Sequence, residues 1–156
     1  MSQWEGAGKS DEWYTPRYIF EALGEIYALD VAAPPGGCPN VPCARYLTAA
    51  DDGLSAPWTG FVWMNPPFAN QANKLLWLRK FFEHGNGVAL LPDRTSAKWW
   101  QEAARRASAV CFVAPKVKFE RPDGTRGEQP STGTCLFAAG ERGAAALRRC
   151  GLGVTL

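Results

Sequence analysis

The sequence predicts an α/β protein in which a mostly parallel sheet carries helices on both faces. Short apolar runs alternate along the chain with segments of helical periodicity, as expected for crossover connections between parallel strands. The 156 residues are 46% hydrophobic and 21% charged, which is typical of a globular chain with its own core. We therefore expect one domain over residues 11–156, preceded by a flexible end at residues 1–10.

Composition excludes several classes of protein. A net charge of +2 excludes a strongly basic coat, although both nucleic acid and small molecules remain acceptable partners. No apolar run approaches the ~18 residues of a membrane span, and no apolar signal segment precedes residue 11. Cys38 and Cys43 are the only close pair among five cysteines, and the single histidine gives no zinc-ligand pattern. We expect reduced thiols, no metal and a cytoplasmic protein.

Local signals place the individual elements. Thr15 and Pro16 are a typical N-cap and first helical residue, and apolar residues recur at helical spacing from there to about residue 26. Further helices are predicted over about 70–84, 96–107 and 140–150, with Ser96 as a cap. Strands are predicted over 27–33, 45–48, 60–64, 88–92, 109–113 and 134–139, with 117–119 extending the fifth. The Pro- and Gly-rich segments 34–42 and 121–132 are expected to be irregular.

Polar residues follow three of the predicted strands. Asp30, Asn65 and Asp93 each stand where a buried strand ends. Parallel sheets bind ligands at the carboxyl ends of their strands, near a switch in strand order. We therefore expect these three residues at one edge of the sheet.

The segment Asn65-Pro66-Pro67-Phe68 carries the most chemical information. Two adjacent prolines cannot continue a central strand, so the chain must leave the sheet there in a stiff loop. The loop offers the Asn65 amide oxygen, the Pro66 carbonyl and the Phe68 ring. Two fixed acceptors can hold both hydrogens of a planar exocyclic amine, which makes its nitrogen a better nucleophile. The Phe68 ring can stack on the aromatic base that carries this amine. The alternative is a tight turn around a buried aromatic residue.

Asn-Pro-Pro-aromatic is the signature of S-adenosylmethionine-dependent amino-methyltransferases, which act on DNA adenine N6, DNA cytosine N4 or protein glutamine. Over about residues 11–137 the chain more closely resembles the phage-encoded DNA N6-adenine methyltransferase family. The resemblance implies a compact Rossmann-like methyltransferase fold, S-adenosylmethionine as cofactor, double-stranded DNA with a flipped adenine as substrate, and no separate target-recognition domain. The segments that carry it, besides the Asn65 loop, are Asp11-Glu12-Trp13-Tyr14-Thr15-Pro16, Leu29-Asp30-Val31-Ala32-Ala33, Asp52-Gly53-Leu54, Leu91-Pro92-Asp93-Arg94-Thr95 and Trp99-Trp100.

The resemblance also implies roles at the cofactor. Asp30 would hold the amino group of the methionine moiety or its water shell, or else cap the turn that follows. Asp52 would accept a hydrogen bond from the adenine of the cofactor, although a plain Asp-Gly turn is an alternative and Asp51 could replace it. Trp13 and Tyr14, which precede the first helix, would line the cofactor pocket or pack on that helix as a hydrophobic staple. The full set is Trp13, Tyr14, Thr15, Pro16, Asp30, Ala32, Asp52 and Asn65.

Basic residues of the second half are candidates for DNA contact. They would bind phosphates without reading sequence, or would be solvated charges on a loop. They are Arg94, Lys116, Lys118, Arg121 and Arg126.

Rival functions remain open at this point. One is transfer to cytosine N4 or to glutamine, and another is a non-catalytic DNA-binding module. The second is motivated by Asp30, which lacks the Pro-x-x-Gly-x-Gly that usually follows it in the wider group. A homodimer is also left open, as is an origin in a phage or prophage.

Overall fold

The computed structural model describes residues 13–67, 71–127 and 132–156. Phe68 and the end predicted to be flexible, residues 1–10, lie outside these ranges. The helices of the described chain are α1 (Arg17–Leu23), α2 (Gln71–His84), α3 (Lys98–Arg106) and α4 (Glu141–Arg149), with a short 3-10 turn at Ala49–Asp51. Its strands are β1 (Tyr27–Asp30), β2 (Cys43–Tyr46), β3 (Val62–Met64), β4 (Gly87–Pro92), β5 (Ala109–Val113), β6 (Thr134–Ala139) and β7 (Gly153–Thr155).

All seven strands form one mixed sheet in the order β2-β1-β3-β4-β6-β5-β7. Pairing is parallel from β2 through β4, and antiparallel from β4 through β6 and β5 to β7. The α/β class is thus confirmed, whereas a mostly parallel sheet is not. Residues 114–127 and 132–133, between β5 and β6, contain no helix, and strands joined without a crossover helix pair antiparallel.

Helices cover both faces of the sheet, as predicted. α1 and α4 bury apolar residues on one face, together with Phe61 and Trp63. α2 and α3 bury theirs on the other face, together with Val62 and Met64. This alternation is the two-residue period of a strand that is buried on both sides. Trp99 and Trp100 both belong to the second core and are packing residues.

Several boundaries differ from the prediction. Pro16 is the N-cap of α1 and has an extended backbone, so Thr15 precedes the cap and its hydroxyl is available for another contact. Ala97 rather than Ser96 is the N-cap of α3, and the segment 117–119 does not form a strand. β7 was not predicted, because an exposed three-residue edge strand leaves almost no hydrophobic pattern.

No helix in the described ranges is long and apolar enough to cross a membrane. Within the same ranges, no group of three or more His, Cys, Asp or Glu side chains is arranged to hold a metal ion. The five cysteines are free thiols.

Candidate active site

A cavity of about 490 Å³ lies at the carboxyl ends of β1 and β3. This volume falls within the range of about 300–1,000 Å³ that is typical of small-molecule sites. Seven of the eight residues expected at the cofactor line it, and Pro16 does not. Those seven, with one proline of the Asn65 loop, are Trp13, Tyr14, Thr15, Asp30, Ala32, Asp52, Asn65 and Pro67.

Asn65 lines this cavity and has a hydrogen-bond acceptor without a partner. Its Nδ2 donates to the Thr15 hydroxyl over 3.4 Å, which orients the amide. Its Oδ1 is buried and has no hydrogen-bond partner among the described residues. A buried acceptor without a partner costs free energy, which a donor on a bound ligand would recover. Pro66 is buried beside it, and the predicted ring of Phe68 lies outside the described residues.

The segment before α1 is held in place by backbone and side-chain hydrogen bonds. Tyr14 exchanges two backbone hydrogen bonds with Glu120, at 2.7 and 2.9 Å. Asn40 Nδ2 donates to the Thr15 carbonyl and to the Glu120 carboxylate, each at 3.0 Å. Arg17 donates in turn to Asn40 Oδ1 over 3.2 Å. Thr15 therefore has a fixed position from which its hydroxyl orients Asn65.

Asp30 is a buried carboxyl in the cavity wall, with only 3% of its surface exposed. The Ala32 amide donates to its Oδ1 over 3.2 Å, so it both caps a turn and faces the cavity. Burial raises the pKa of Asp30 from its usual 3.8 to about 7, against the opposing effect of the Ala32 hydrogen bond. A cationic ligand group would favour the ionised form, so Asp30 is suited to bind an ammonium.

The two acidic residues before Gly53 have separate roles. Asp51 accepts hydrogen bonds from the backbone and hydroxyl of Thr48, at 2.8 and 3.2 Å, and therefore caps the 3-10 turn. Asp52 lines the cavity, adopts a left-handed backbone (φ 55°) and accepts a 2.8 Å hydrogen bond from the Ser55 hydroxyl. The geometry thus favours Asp52 over Asp51 as a ligand-binding residue.

Gly53 is required by packing within the protein. A Cβ at this position would lie 2.3 Å from the Val31 carbonyl oxygen and 2.9 Å from a ring carbon of Trp77. The turn therefore sits directly against the end of β1, where its residues close one side of the cavity. The close neighbours of Gly53 are therefore protein atoms.

Sequence reasoning missed the apolar part of the wall. Trp63 and Trp77 lie on core elements, and the strand and helix patterns around them indicate only burial. Pro34, Pro35, Cys38 and Val41 come from the irregular segment after β1, and Thr48 and Ala49 from the turn after β2. The only signal for these residues was their position just after predicted strand ends.

Two of the five basic candidates lie together at a second, more open cavity beyond β4. Arg94 and Lys116 line it, together with Asp93 and Thr132, and Arg94 donates to the Thr132 hydroxyl over 3.4 Å. Asp93 therefore stands at the end of a parallel strand as predicted, but it does not line the cavity of Asp30 and Asn65.

The other three basic candidates lie on or beside a hairpin within residues 119–127, in which Glu120 pairs with Arg126. The Arg121 guanidinium lies 5.2 Å from the centre of the Trp13 ring, and it donates to the Arg126 carbonyl over 2.8 Å. Lys118 and Arg126 are exposed. The hairpin therefore brings positive charge to Trp13, at the rim of the first cavity.

Comparison with known proteins identifies the family. The family model described as DNA N-6-adenine-methyltransferase (Dam) matches residues 6–140. A protein of Escherichia phage T1 named DNA N-6-adenine-methyltransferase is 29% identical over 141 residues, which are 86% of this chain and 57% of that protein. The chain thus spans little more than half the length of this relative, and no solved structure matches it. On the family match, the chain belongs to the DNA N-6-adenine-methyltransferase (Dam) family.

Proposed function

We propose that this protein transfers a methyl group from S-adenosylmethionine to the N6 atom of a flipped adenine in double-stranded DNA. The observation that carries the proposal is the unpartnered Oδ1 of Asn65, a residue of the cavity whose wall also contains Asp30. The family match supports the reaction, and the parallel half of the sheet supports a Rossmann-like methyltransferase arrangement.

The cavity residues fit the groups of S-adenosylmethionine. Asp30 would bind the ammonium of the methionine moiety, because a buried carboxylate gains most from a cationic partner. Asp52 would accept a hydrogen bond from the cofactor's adenine amino group, and Trp13 offers a ring face to the sulfonium. Bound in this way, the cofactor supplies a methyl group on positively charged sulfur.

Catalysis would rest on positioning and on carbonyl dipoles. The Asn65 Oδ1 and the Pro66 carbonyl would each accept one hydrogen of the target amine, with Pro67 stiffening the loop and Phe68 stacking on the base. Holding both hydrogens out of the ring plane frees the nitrogen lone pair for attack. The same carbonyls stabilise the positive charge that develops on nitrogen, and the extra proton then leaves to solvent.

DNA would be held through its phosphates. Arg94 and Lys116 at the second cavity, and Lys118, Arg121 and Arg126 at the hairpin, form two basic groups on the described surface. Phosphate contacts position a duplex without reading its sequence. In a homodimer, the second copy of the chain would add further contacts to DNA. Methylation of DNA in a bacterial host would take place in the cytoplasm of that host.

Labelled S-adenosylmethionine and unmodified DNA test the reaction directly. After incubation and digestion of the DNA, mass measurement of the nucleosides should find N6-methyl-2′-deoxyadenosine. If the digest contains N4-methylcytosine instead, the target is cytosine N4 rather than adenine N6. If the label appears on glutamine of a protein substrate and not on DNA, the protein is a glutamine methyltransferase rather than a DNA methyltransferase. Calorimetry that shows no binding of the cofactor would leave a non-catalytic module as the explanation.

A further inference from the structure

The ammonium of Lys80 on α2 gathers three main-chain carbonyls of the turn after Asp52. Its Nζ lies 3.1 Å from the Gly53 oxygen and 2.8 Å from the Leu54 oxygen, and it also donates to the Ala56 oxygen. An ammonium has three N–H donors, so these contacts use all of them. Lys80 lies 24–27 residues away in sequence, so it fixes the turn from a distant element.

The same turn is held by an aromatic neighbour. Trp58 Nε1 donates to the Gly53 carbonyl over 2.8 Å, and Lys80 Nζ lies 4.8 Å from the centre of the Trp58 ring. Trp58 stacks in turn on Trp77, a residue of the cavity wall, with ring centres 6.3 Å apart. Lys80 therefore joins a packed layer that supports the cavity wall without lining the cavity itself.

The hydrogen bonds from Lys80 hold the backbone of the turn that directly follows Asp52. The carbonyls of the turn are bonded to Lys80, whereas Asp52 and Gly53 line the cavity. Asp52 adopts a left-handed backbone (φ 55°), a conformation that few residues other than Gly, Asn and Asp adopt. Partial burial lowers the pKa of Lys80, and the Asp52 charge opposes this.

We propose that Lys80 is a positioning residue, which holds Asp52 where its carboxylate accepts a hydrogen bond from the adenine amino group of the cofactor. The inference rests on the proposed function, because it takes S-adenosylmethionine as the ligand of the cavity. It predicts that loss of Lys80 weakens recognition of one group of the ligand. A merely structural residue would instead weaken binding of every ligand equally.

Two ligands separate these cases. Calorimetry would measure the affinity of the wild-type protein and of Lys80→Met for S-adenosylhomocysteine, and for its inosine analogue, which carries oxygen in place of the amino group. We expect the wild type to prefer the adenosine ligand roughly tenfold, as one well-placed hydrogen bond to a carboxylate allows. In Lys80→Met we expect the preference to fall to about twofold or less.

Lys80→Gln is the second variant if Lys80→Met does not fold, since its neutral amide cannot serve three carbonyls. It should also lose most of the preference. Lys98→Met, an exposed lysine of α3, is the matched control and should keep it. An unchanged ratio in the Lys80 variants, whatever their absolute affinities, would overturn the inference. Equal binding of both ligands by the wild type would overturn it as well, whereas failure of both to bind would overturn the proposed function.

Discussion

The two halves of the sheet differ in the direction of strand pairing and in whether their strand ends line the first cavity. From β2 to β4 the strands are parallel, and the residues after β1 and β3 form the cavity. From β4 to β7 the pairing is antiparallel, and no described residue after Trp77 lines that cavity. Parallel neighbours place their carboxyl ends at one edge, whereas antiparallel neighbours place them at opposite edges. Ligand-binding side chains can therefore converge at one edge of the first half, whereas the segments after β4 and β5 carry the basic residues.

Replacement of the central acceptor of the parallel half should have the largest effect. Asn65→Ala removes the unpartnered Oδ1, and we expect kcat to fall by roughly a hundredfold or more, as for loss of one preorganised polar group. Folding and cofactor affinity should change little. Nucleoside analysis measures the rate, and calorimetry measures the affinity. Asn86→Ala, the same change in the turn before β4, is the control, and equal rates in the two variants would contradict the proposed role.

Asp30 should make cofactor binding depend on pH. Burial raises its pKa to about 7 in the unliganded protein, so below that pH the carboxyl is protonated and cannot pair with an ammonium. The affinity for S-adenosylhomocysteine should therefore fall about tenfold per pH unit below pH 7, and stay flat above it. Calorimetry across pH 5–8 measures this dependence. Asp30→Asn should bind weakly at every pH, and a slope retained in that variant would assign the proton to another group.

Stability should show the opposite dependence. The folded pKa of Asp30 lies above its usual 3.8, so the folded state binds the proton more tightly. Stability from this group is therefore fully present below about pH 4 and is lost as pH rises to about 7. Asp30→Asn should consequently raise the Tm of the unliganded protein at pH 8 and leave it nearly unchanged at pH 4. A lower Tm at pH 8 would contradict the burial cost assigned to the carboxylate.

The predictability of the molecule from its sequence differs between the halves in the same way. Asp30 and Asn65 could be singled out because an acid or an amide that ends an apolar strand stands out locally. Both line one cavity because parallel pairing brings strand ends together. The antiparallel pairing of β6 was not predicted, although the sequence shows no helical periodicity between residues 113 and 134, which was a signal for it. Strand alternation alone does not report the direction of a strand.

Side-chain networks were beyond local patterns. Lys80 shares a helical segment with core residues, and nothing in its neighbourhood indicates that three carbonyls from residues 53–56 meet its ammonium. The same holds for Trp77, because its helical spacing predicts burial but does not predict that it lies in a cavity wall. Such roles depend on contacts between residues that are distant in sequence, so they require the tertiary structure.

Gly53 tests how tightly the parallel half is built. Gly53→Ala places a methyl group 2.3 Å from the Val31 carbonyl, so we expect a loss of about 2–3 kcal/mol in the free energy of unfolding. Gly124→Ala, in the exposed hairpin, has open space and only backbone strain at φ +91°, and should cost about 1 kcal/mol. Denaturant titration compares the two. An equal cost would mean that the turn can move away from β1.

Arg94, which follows the last parallel strand, should give the smallest effect. If it contacts a DNA phosphate, Arg94→Ala weakens binding by a few-fold on every sequence, and it lowers the slope of log affinity against log salt by about 1. Fluorescence titrations at several salt concentrations measure both quantities. Arg148→Ala, on α4 in the antiparallel half, removes an exposed arginine paired with Glu141 and is the matched control. Arg94 belongs to the DNA-binding surface only if its slope changes while that of Arg148→Ala does not, because a general loss of positive charge would alter both slopes alike.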